Sequence, residues 1–152
     1  MGFFAIDPAR GAGLHFTAPY VLITGSYLVK ETSPLKDNSE VDRKGTRLIV
    51  SKDSAYDLYL TRVIKNATII RAPSCGVVVE TFIKEGYEVA GGVTQALQLD
   101  VKKISGLRIL PGNFMVIQQA MGMPKSRSEE AITALRDFVE EMKRKGFVDE
   151  SL

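Results

Sequence analysis

The chain has 152 residues, of which 45% are hydrophobic and 25% charged, and its formal net charge is +2. This length and composition suit one soluble globular domain, and the near balance of charge gives no electrostatic reason to expect nucleic acid as a partner. One cysteine, Cys75, and one histidine, His15, exclude an internal disulfide and a histidine-rich metal site, so we expect no metal and no cofactor.

The N-terminal stretch AIDPARGAGLHFTAPY, residues 5–20, places Arg10 after a proline and before a Gly-Ala-Gly turn, with a strand-like run behind it. Residues 20–29 predict a long strand broken at Gly25-Ser26, because a glycine in mid-strand marks a bend or a close backbone approach. Residues 31–45 predict a polar loop with one short helical turn.

The middle of the chain predicts alternating strands and helices. One helix follows Ser54, with Asp57 in capping-box position, and a second is opened by Pro73-Ser74 and closed by Gly86. Strands are predicted at 46–51, 67–72, 87–93 and 107–112. Alternation of this kind is typical of a parallel sheet with crossover helices.

The C-terminal part predicts a strand at 113–123, which Pro124 ends, and then an amphipathic helix. Ser126 and Glu129 have capping-box spacing, and the helix ends near Gly146. Its apolar stripe consists of Ala131, Ile132, Leu135, Phe138, Val139 and Met142.

These elements define the expected domain organisation. Residues 28–108 form one α/β lobe, and the flanks 1–27 and 109–152 are each too short to be a domain. Because both flanks enter the middle through strand-like segments, we expect them to form a discontinuous second lobe, joined to the first by two hinge strands.

Several stretches in this order resemble the extracellular solute-binding proteins of family 3, the type II periplasmic binding proteins of ABC importers. The resemblance extends over the whole chain and is carried by AIDPARGAGLHFTAPY, SYLV, VDRKGTRLIVSKDSAYDLYLTR, YEVAGGVTQAL, GLRILPGNFMVIQQAMGMPK and LRDFVEEMKRKGFV. It implies a type II periplasmic-binding-protein-like α/β fold and a non-enzymatic protein that binds a small carboxylate-bearing solute, such as an amino acid, in an inter-lobe cleft.

The resemblance also implies the ligand-binding residues. Arg10, in the position of the family's arginine, would grip a carboxylate, since a guanidinium matches it bidentately. The turn Asp53-Ser54-Ala55 at a helix start would hold the same carboxylate through backbone N–H groups. Thr94 and Gln95, after a strand of lobe two, would line the pocket.

Three residues depart from the family's pattern. Asp53 places a carboxylate at the turn, where it would compete with an anionic ligand. Val93 stands where an aspartate would hold the ligand's ammonium group, and Ala5 stands where a serine hydroxyl often meets the ligand. A non-amino organic anion therefore stays open as the ligand.

Because the arginine motif stands at the start of this sequence, the resemblance implies that the N-terminal part of lobe one is absent. The flanks 1–27 and 109–152 would be the remnant of that lobe, and its uncovered apolar face predicts a homo-oligomer. The resemblance implies an ABC permease as a partner and a periplasmic or extracellular location. No secretory signal precedes the motif, which predicts a cytoplasmic protein if Met1 is the true start.

Two other functions stay open: a truncated remnant that self-associates and binds nothing, and a dehydratase-type enzyme on the same fold. The remaining candidate groups are interpreted as structural. Cys75 is expected to be a buried thiol and His15 a strand residue, and the GAG at 11–13 is a turn, because it lacks the rest of a dinucleotide fingerprint.

Overall fold

A computed structural model describes residues 1–151. They form two compact units: a central unit, Thr24–Val116, and a terminal unit, made of Met1–Ile23 and the residues from Ile117 onward. The chain passes from one unit to the other within two strands. The observed bounds differ from the expected 28–108, and the interpretation of the terminal unit as a lobe-one remnant stays a prediction.

The central unit alternates strands and helices after a first long strand. Its elements are β3 Val21–Lys30, which starts in the terminal unit, β4 Arg47–Ser51, α2 Ala55–Val63, β5 Thr68–Ala72, α3 Val78–Glu85, β6 Val89–Val93, α4 Thr94–Lys103 and β7 Leu107–Ile109. Short 3-10 turns lie at Asn38–Glu40 and Cys75–Val77. β3 is continuous, so the predicted break at Gly25-Ser26 is wrong.

The sheet of the central unit is mixed. β4 pairs in parallel with β5 and β6, whereas β3 pairs antiparallel with β6 and β7. The prediction of a parallel sheet is correct for three strands and wrong for residues 107–112, because β7 pairs with the antiparallel β3. The helix α4 was not predicted, since Leu97 is its one buried residue and leaves little apolar periodicity to detect.

Helices α3 and α4 cover one face of this sheet. Gly86, with φ of 63°, ends α3 in a left-handed C-cap, as its position in the sequence predicts. The buried core between the helices and the strands consists of Leu28, Ile49, Ala72, Val78, Val79, Phe82, Ala90, Leu97 and Leu107.

The terminal unit is a small antiparallel sheet under a long helix. Its elements are β1 Gly2–Ala5, α1 Pro8–Gly11, β2 Leu14–Phe16, most of β8 Met115–Pro124, α5 Glu129–Arg144 and α6 Phe147–Ser151. Both β1 and β2 pair antiparallel with β8. The predicted stripe of α5 packs on β8 through Ile132, Leu135 and Val139, which contact Met121 and Met123.

The start of α5 differs from the prediction. Ser128, not Ser126, is the N-cap, and its Oγ accepts a hydrogen bond from the N–H of Ala131 at 3.3 Å. Arg127 N–H instead closes a turn onto the carbonyl of Pro124, which places the capping position two residues later. Within residues 1–151, no helix combines the length and the apolar character needed to cross a membrane.

Candidate ligand-binding edge of the central unit

Two helices of the central unit begin at the same edge of its sheet. β4 and β6 run in parallel, with Leu48 opposite Val89 and Ile49 opposite Ala90. β4 ends at Ser51 and β6 ends at Val93, and α2 and α4 begin directly after them. The N-termini of both helices therefore lie at the carboxyl ends of these strands. This region, residues 24–26, 51–57 and 93–95, is called the carboxyl edge below.

The N-terminus of α2 is fixed by two side chains. Ser54 is the N-cap, and its Oγ accepts from the N–H of Asp57 at 3.0 Å. The Asp57 carboxylate accepts from the N–H of Asp53 at 2.9 Å, whereas the N–H of Ser54 donates to the carbonyl of Ser51. Ser54 is thus the N-cap, as the predicted capping box requires. The Asp57 carboxylate, however, binds the N–H of Asp53, one residue before the N-cap, and not that of Ser54 itself. Asp53 has φ of 59°, a left-handed turn that aspartate tolerates.

The Asp57 carboxylate is nearly completely buried, and Arg71 of β5 neutralises it. Arg71 Nε donates to Asp57 Oδ1 at 2.9 Å, and the guanidinium also reaches Thr61 Oγ1 at 2.8 Å. A buried carboxylate needs such a partner. Because Arg71 balances its charge, Asp57 presents little net negative field to an anion at the start of α2.

Three hydroxyl groups meet at the N-terminus of α4. Thr94 Oγ1 lies 2.7 Å from Thr24 Oγ1 and 2.7 Å from Ser26 Oγ, and it donates to the carbonyl of Thr24 at 3.0 Å. A hydroxyl has one proton and two lone pairs. If Thr94 donates to that carbonyl, Thr24 and Ser26 both donate to Thr94, and its hydroxyl is saturated. Thr94 would then offer a ligand its backbone N–H group.

Aromatic rings pack beside these hydroxyls. The Phe114 ring stacks on Tyr27 with a centroid distance of 4.3 Å, and its centroid lies 6.4 Å from that of Tyr59. A Cβ built on Gly25 would lie 2.9 Å from Phe114 Cζ, so glycine is what permits the close approach. A close backbone approach at Gly25 is what a glycine in mid-strand predicts. Burial, followed by the neighbouring Tyr59 and Asp42, raises the pKa of Tyr27, and its phenol stays neutral.

The structure brings together four of the five predicted ligand-binding residues. Ser54 and Ala55 cap and begin α2, and Thr94 and Gln95 begin α4, all at the carboxyl edge. Gln95 is exposed, and the other three side chains are partly buried.

The fifth residue, Arg10, belongs to the terminal unit. It lies in the single-turn helix α1, which Asp7 caps by accepting from Ala9 N–H at 2.8 Å. Arg10 Nη1 donates to the carbonyl of Ala5 at 3.3 Å. The sequence predicted that this arginine lies beside a turn. In the structure it lies within one turn of helix.

Three residues that shape the carboxyl edge were not predicted from the sequence: Thr24, Ser26 and Arg71. Thr24 and Ser26 escaped prediction because their partner Thr94 is about 70 residues away, and the one local signal was Gly25 between them. Asp57 was identified as a capping residue, but its ion pair with Arg71 was not anticipated.

The expectation of a buried thiol at Cys75 is wrong. Cys75 is exposed, and its Sγ lies 3.4 Å from the hydroxyl of the buried Tyr56. It starts a 3-10 turn at the surface, not a buried helical turn. His15 is partly buried in β2, as expected of a strand residue. No group of three potential metal ligands occurs within the described residues.

No protein-family model matches the sequence, and no curated protein matches it. Solved structures do resemble it. An ancestral amino acid-binding protein, a precursor of cyclohexadienyl dehydratase, has a TM-score of 0.80 at 14% identity, over 97% of this chain and 63% of its own. The arginine-, lysine-, histidine-binding protein ArtJ from Geobacillus stearothermophilus has a TM-score of 0.79 at 20% identity, over 97% of this chain and 64% of its own.

A third example is an amino acid ABC transporter substrate-binding protein from Streptococcus pneumoniae bound to L-arginine. Its TM-score is 0.79 at 17% identity, over 97% of this chain and 62% of its own. The chain therefore has the type II periplasmic-binding-protein fold, as its sequence resemblance implied. It spans about 63% of the length of such a protein, and its structural neighbours are amino-acid-binding proteins of ABC transporters.

Proposed function

We propose that this chain is the solute-binding component of an ABC importer, or a part of one, and that it takes a small carboxylate-bearing solute such as an amino acid or an organic acid. The observation that carries the proposal is the convergence of the N-termini of α2 and α4 at one sheet edge. The amino-acid-binding proteins that share the fold support the same conclusion.

Two helix N-termini at one edge favour an anion for a physical reason. The first N–H groups of a helix have no partner within the helix, and the helix dipole places partial positive charge there. The backbone N–H groups of Ala55 and Gln95 belong to these first turns. In the proposal they hold the solute's carboxylate, Ser54 keeps the start of α2 in place, and Gln95 offers a side-chain amide.

Arg10 is proposed as a second carboxylate-binding group, on the strength of the family resemblance. Its guanidinium has five N–H donors in a planar fork, which suits two carboxylate oxygens. One donor contacts the Ala5 carbonyl, a contact that steadies the side chain. Arg10→Ala is expected to weaken carboxylate binding about tenfold or more, by the loss of charge-assisted hydrogen bonds.

The presence of an amino group on the solute is left to experiment. Val93, at the end of β6, is apolar at the position where amino-acid binders carry an aspartate. A ligand panel therefore needs pairs of compounds that differ in the α-amino group alone, such as an α-amino acid and the matching 2-hydroxy acid. Preference for the hydroxy acid would identify an organic-anion binder.

The test is thermal unfolding and calorimetric titration of the full chain with that panel. A true ligand stabilises the folded state by RT ln(1 + [L]/Kd). Gln95→Glu puts a negative charge into the first turn of α4 and should weaken binding about tenfold, since it repels the solute's carboxylate. Gln98→Glu is the matched control, because Gln98 is also exposed in the same helix but three residues further from its start.

A chain that no compound stabilises would contradict solute binding and favour the alternative of a truncated, non-binding remnant. Equal weakening by Gln95→Glu and Gln98→Glu would contradict the role of the α4 N-terminus. The dehydratase alternative has one supporting observation, the neighbour described as a precursor of cyclohexadienyl dehydratase. Turnover of a prephenate-like acid would favour that alternative.

The remaining parts of the proposal follow from the class of protein. An importer's binding component delivers its solute to an ABC permease in the periplasm or outside the cell. Binding of the loaded chain to a permease in membrane vesicles would test this step. Self-association through the terminal unit stays a prediction of the sequence.

A further inference from the structure

Strand β1 has an open edge. Gly2–Ala5 pairs antiparallel with β8 on one side, with Phe3 opposite Met121 and Ala5 opposite Gln119. Within residues 1–151, no other strand pairs with β1. An unpaired strand edge presents backbone N–H and C=O groups that another chain can pair with.

The hydrogen bonds of β8 show which groups of β1 point outward. The carbonyls of Met121 and Gln119 accept from Thr17 and Tyr20, on the side of β8 away from β1. The groups of β1 opposite them, those of Phe3 and Ala5, therefore point away from β8, because antiparallel partners alternate in direction. Arg10 donates to the outward carbonyl of Ala5, which agrees with this assignment. The N–H and C=O of Phe3 and the N–H of Ala5 thus face the edge.

An apolar groove of about 360 Å³ adjoins this edge. Phe3 and its cross-strand neighbour Met121 form one wall, and Phe138 of α5 and Phe147 of α6 form the other. The Phe3 ring also meets the edge of the Tyr20 ring at a centroid distance of 6.0 Å. Backbone pairing at β1 would therefore bring apolar side chains together in the same contact.

We propose that a second copy of this chain occupies the edge of β1, in a two-fold symmetric dimer whose β1 strands pair antiparallel with Phe3 opposite Phe3. In that register each Phe3 exchanges both of its outward hydrogen bonds with its counterpart. The N–H of Ala5 faces the carbonyl of Met1 of the other copy. The carbonyl of Ala5 still accepts its hydrogen bond from Arg10 of the same chain. The pairing needs no change in the bonds between β1 and β8.

Three properties favour a second copy as the occupant. The outward groups are self-complementary about Phe3, as a two-fold interface requires. Two ion pairs lie at the C-terminal end of α5, Lys143 with Glu140 at 2.8 Å and Lys145 with Glu141 at 2.6 Å, so these four charges are balanced within one copy and would add little repulsion between two.

The third property is the exposed apolar area. Met1, Phe3, Phe138 and Phe147 are 80%, 70%, 50% and 59% exposed. At about 200 Å² for a large side chain, these four expose on the order of 500 Å². A stable interface of standard size buries roughly 800 Å² on each partner, so they supply more than half of what a dimer needs.

The test is the mass of the full chain in solution, by light scattering and sedimentation velocity from low micromolar to near-millimolar concentration. A species of twice 16.7 kDa is expected. Phe3→Glu should weaken the dimer about tenfold or more, because it places two like charges directly opposite each other. Leu99→Glu is the control, since Leu99 is a similarly exposed apolar residue on α4 of the central unit, 54% accessible.

Amide exchange on the unmodified chain gives a second measurement. The N–H groups of Phe3 and Ala5 should exchange more slowly at concentrations where the dimer forms, whereas that of Phe4, which points toward β8, should not change. A monomer at every concentration would overturn the proposal, and so would a dimer that survives Phe3→Glu. Neither result depends on solute binding, so a failure here leaves the proposed function intact.

Discussion

Arg71 Nε lies 2.9 Å from Asp57 Oδ1, and this contact joins β5 to the first turn of α2. The Asp57 side chain is 4% exposed and also holds the N–H of Asp53. Asp57→Ala is expected to lower the free energy of unfolding by about 2–3 kcal/mol, because it leaves that N–H and Arg71 without their partner. Urea unfolding at neutral pH measures the change. Glu140→Ala, which breaks an exposed pair, should cost less than about 0.5 kcal/mol.

The free energy of unfolding should depend on pH in the acid range because of Asp42. Its carboxylate accepts from the N–H groups of Lys65, Asn66 and Ala67, and the hydrogen bonds from Ala67, Asn66 and Lys65 lower its pKa. The folded pKa is then below the unfolded value of about 3.9, so the stabilisation is complete above that pH and is lost as the pH falls through the folded pKa. Urea midpoints should fall more steeply in the unmodified chain than in Asp42→Asn as the pH is lowered from about 6 toward about 2. Parallel curves would contradict this role of Asp42.

A side chain at position 25 should conflict with the Phe114 ring, and a smaller side chain at position 114 should relieve that conflict. A Cβ at Gly25 would lie 2.9 Å from Phe114 Cζ and 3.0 Å from Met115 Cγ, so Gly25→Ala should destabilise by about 1–3 kcal/mol. The cost should shrink in a Phe114→Leu background, where those ring atoms are absent. Gly76→Ala is the control, because a Cβ there meets nothing within 4 Å. Additive effects of the two substitutions would show that the ring is not the obstacle.

Removal of the Thr94 hydroxyl should lower the stability of the protein. Thr94→Val keeps the shape of the side chain but takes away the hydroxyl shared by Thr24 and the buried Ser26. We expect a cost of about 1–3 kcal/mol, since Ser26 Oγ loses its short partner and keeps a 3.3 Å contact with the carbonyl of Gly112. Thermal unfolding measures it, and an unchanged transition would mean that the three hydroxyls do not act as a cluster.

Cys75 should react in the native protein. Cys75 is exposed, so a disulfide reagent is expected to label one thiol per folded chain without denaturant. Release of the chromophore, followed by absorbance, gives the rate, and Cys75→Ser gives the blank. Labelling that requires denaturant would restore the original expectation of a buried thiol.

Local patterns predicted the elements whose residues contact near neighbours in the chain. The apolar stripe of α5 repeats every three to four residues, so that one helix face is visible in the sequence. Ser54 and Gly86 cap helices within one turn of their own positions. The family resemblance then implied the fold, which the solved structures share.

Tertiary structure alone decided the features that join distant segments. The direction of β7 depends on its pairing with β3, about 80 residues earlier, and the hydroxyl cluster joins residues 24, 26 and 94. The start of α4 escaped detection because one buried leucine fixes its face. By itself the sequence determined where most strands and helices lie and which class of fold they build. Packing and hydrogen bonds decided which of their side chains meet. These interactions act between atoms that are close in space, and the local sequence pattern does not show which distant residues will be close.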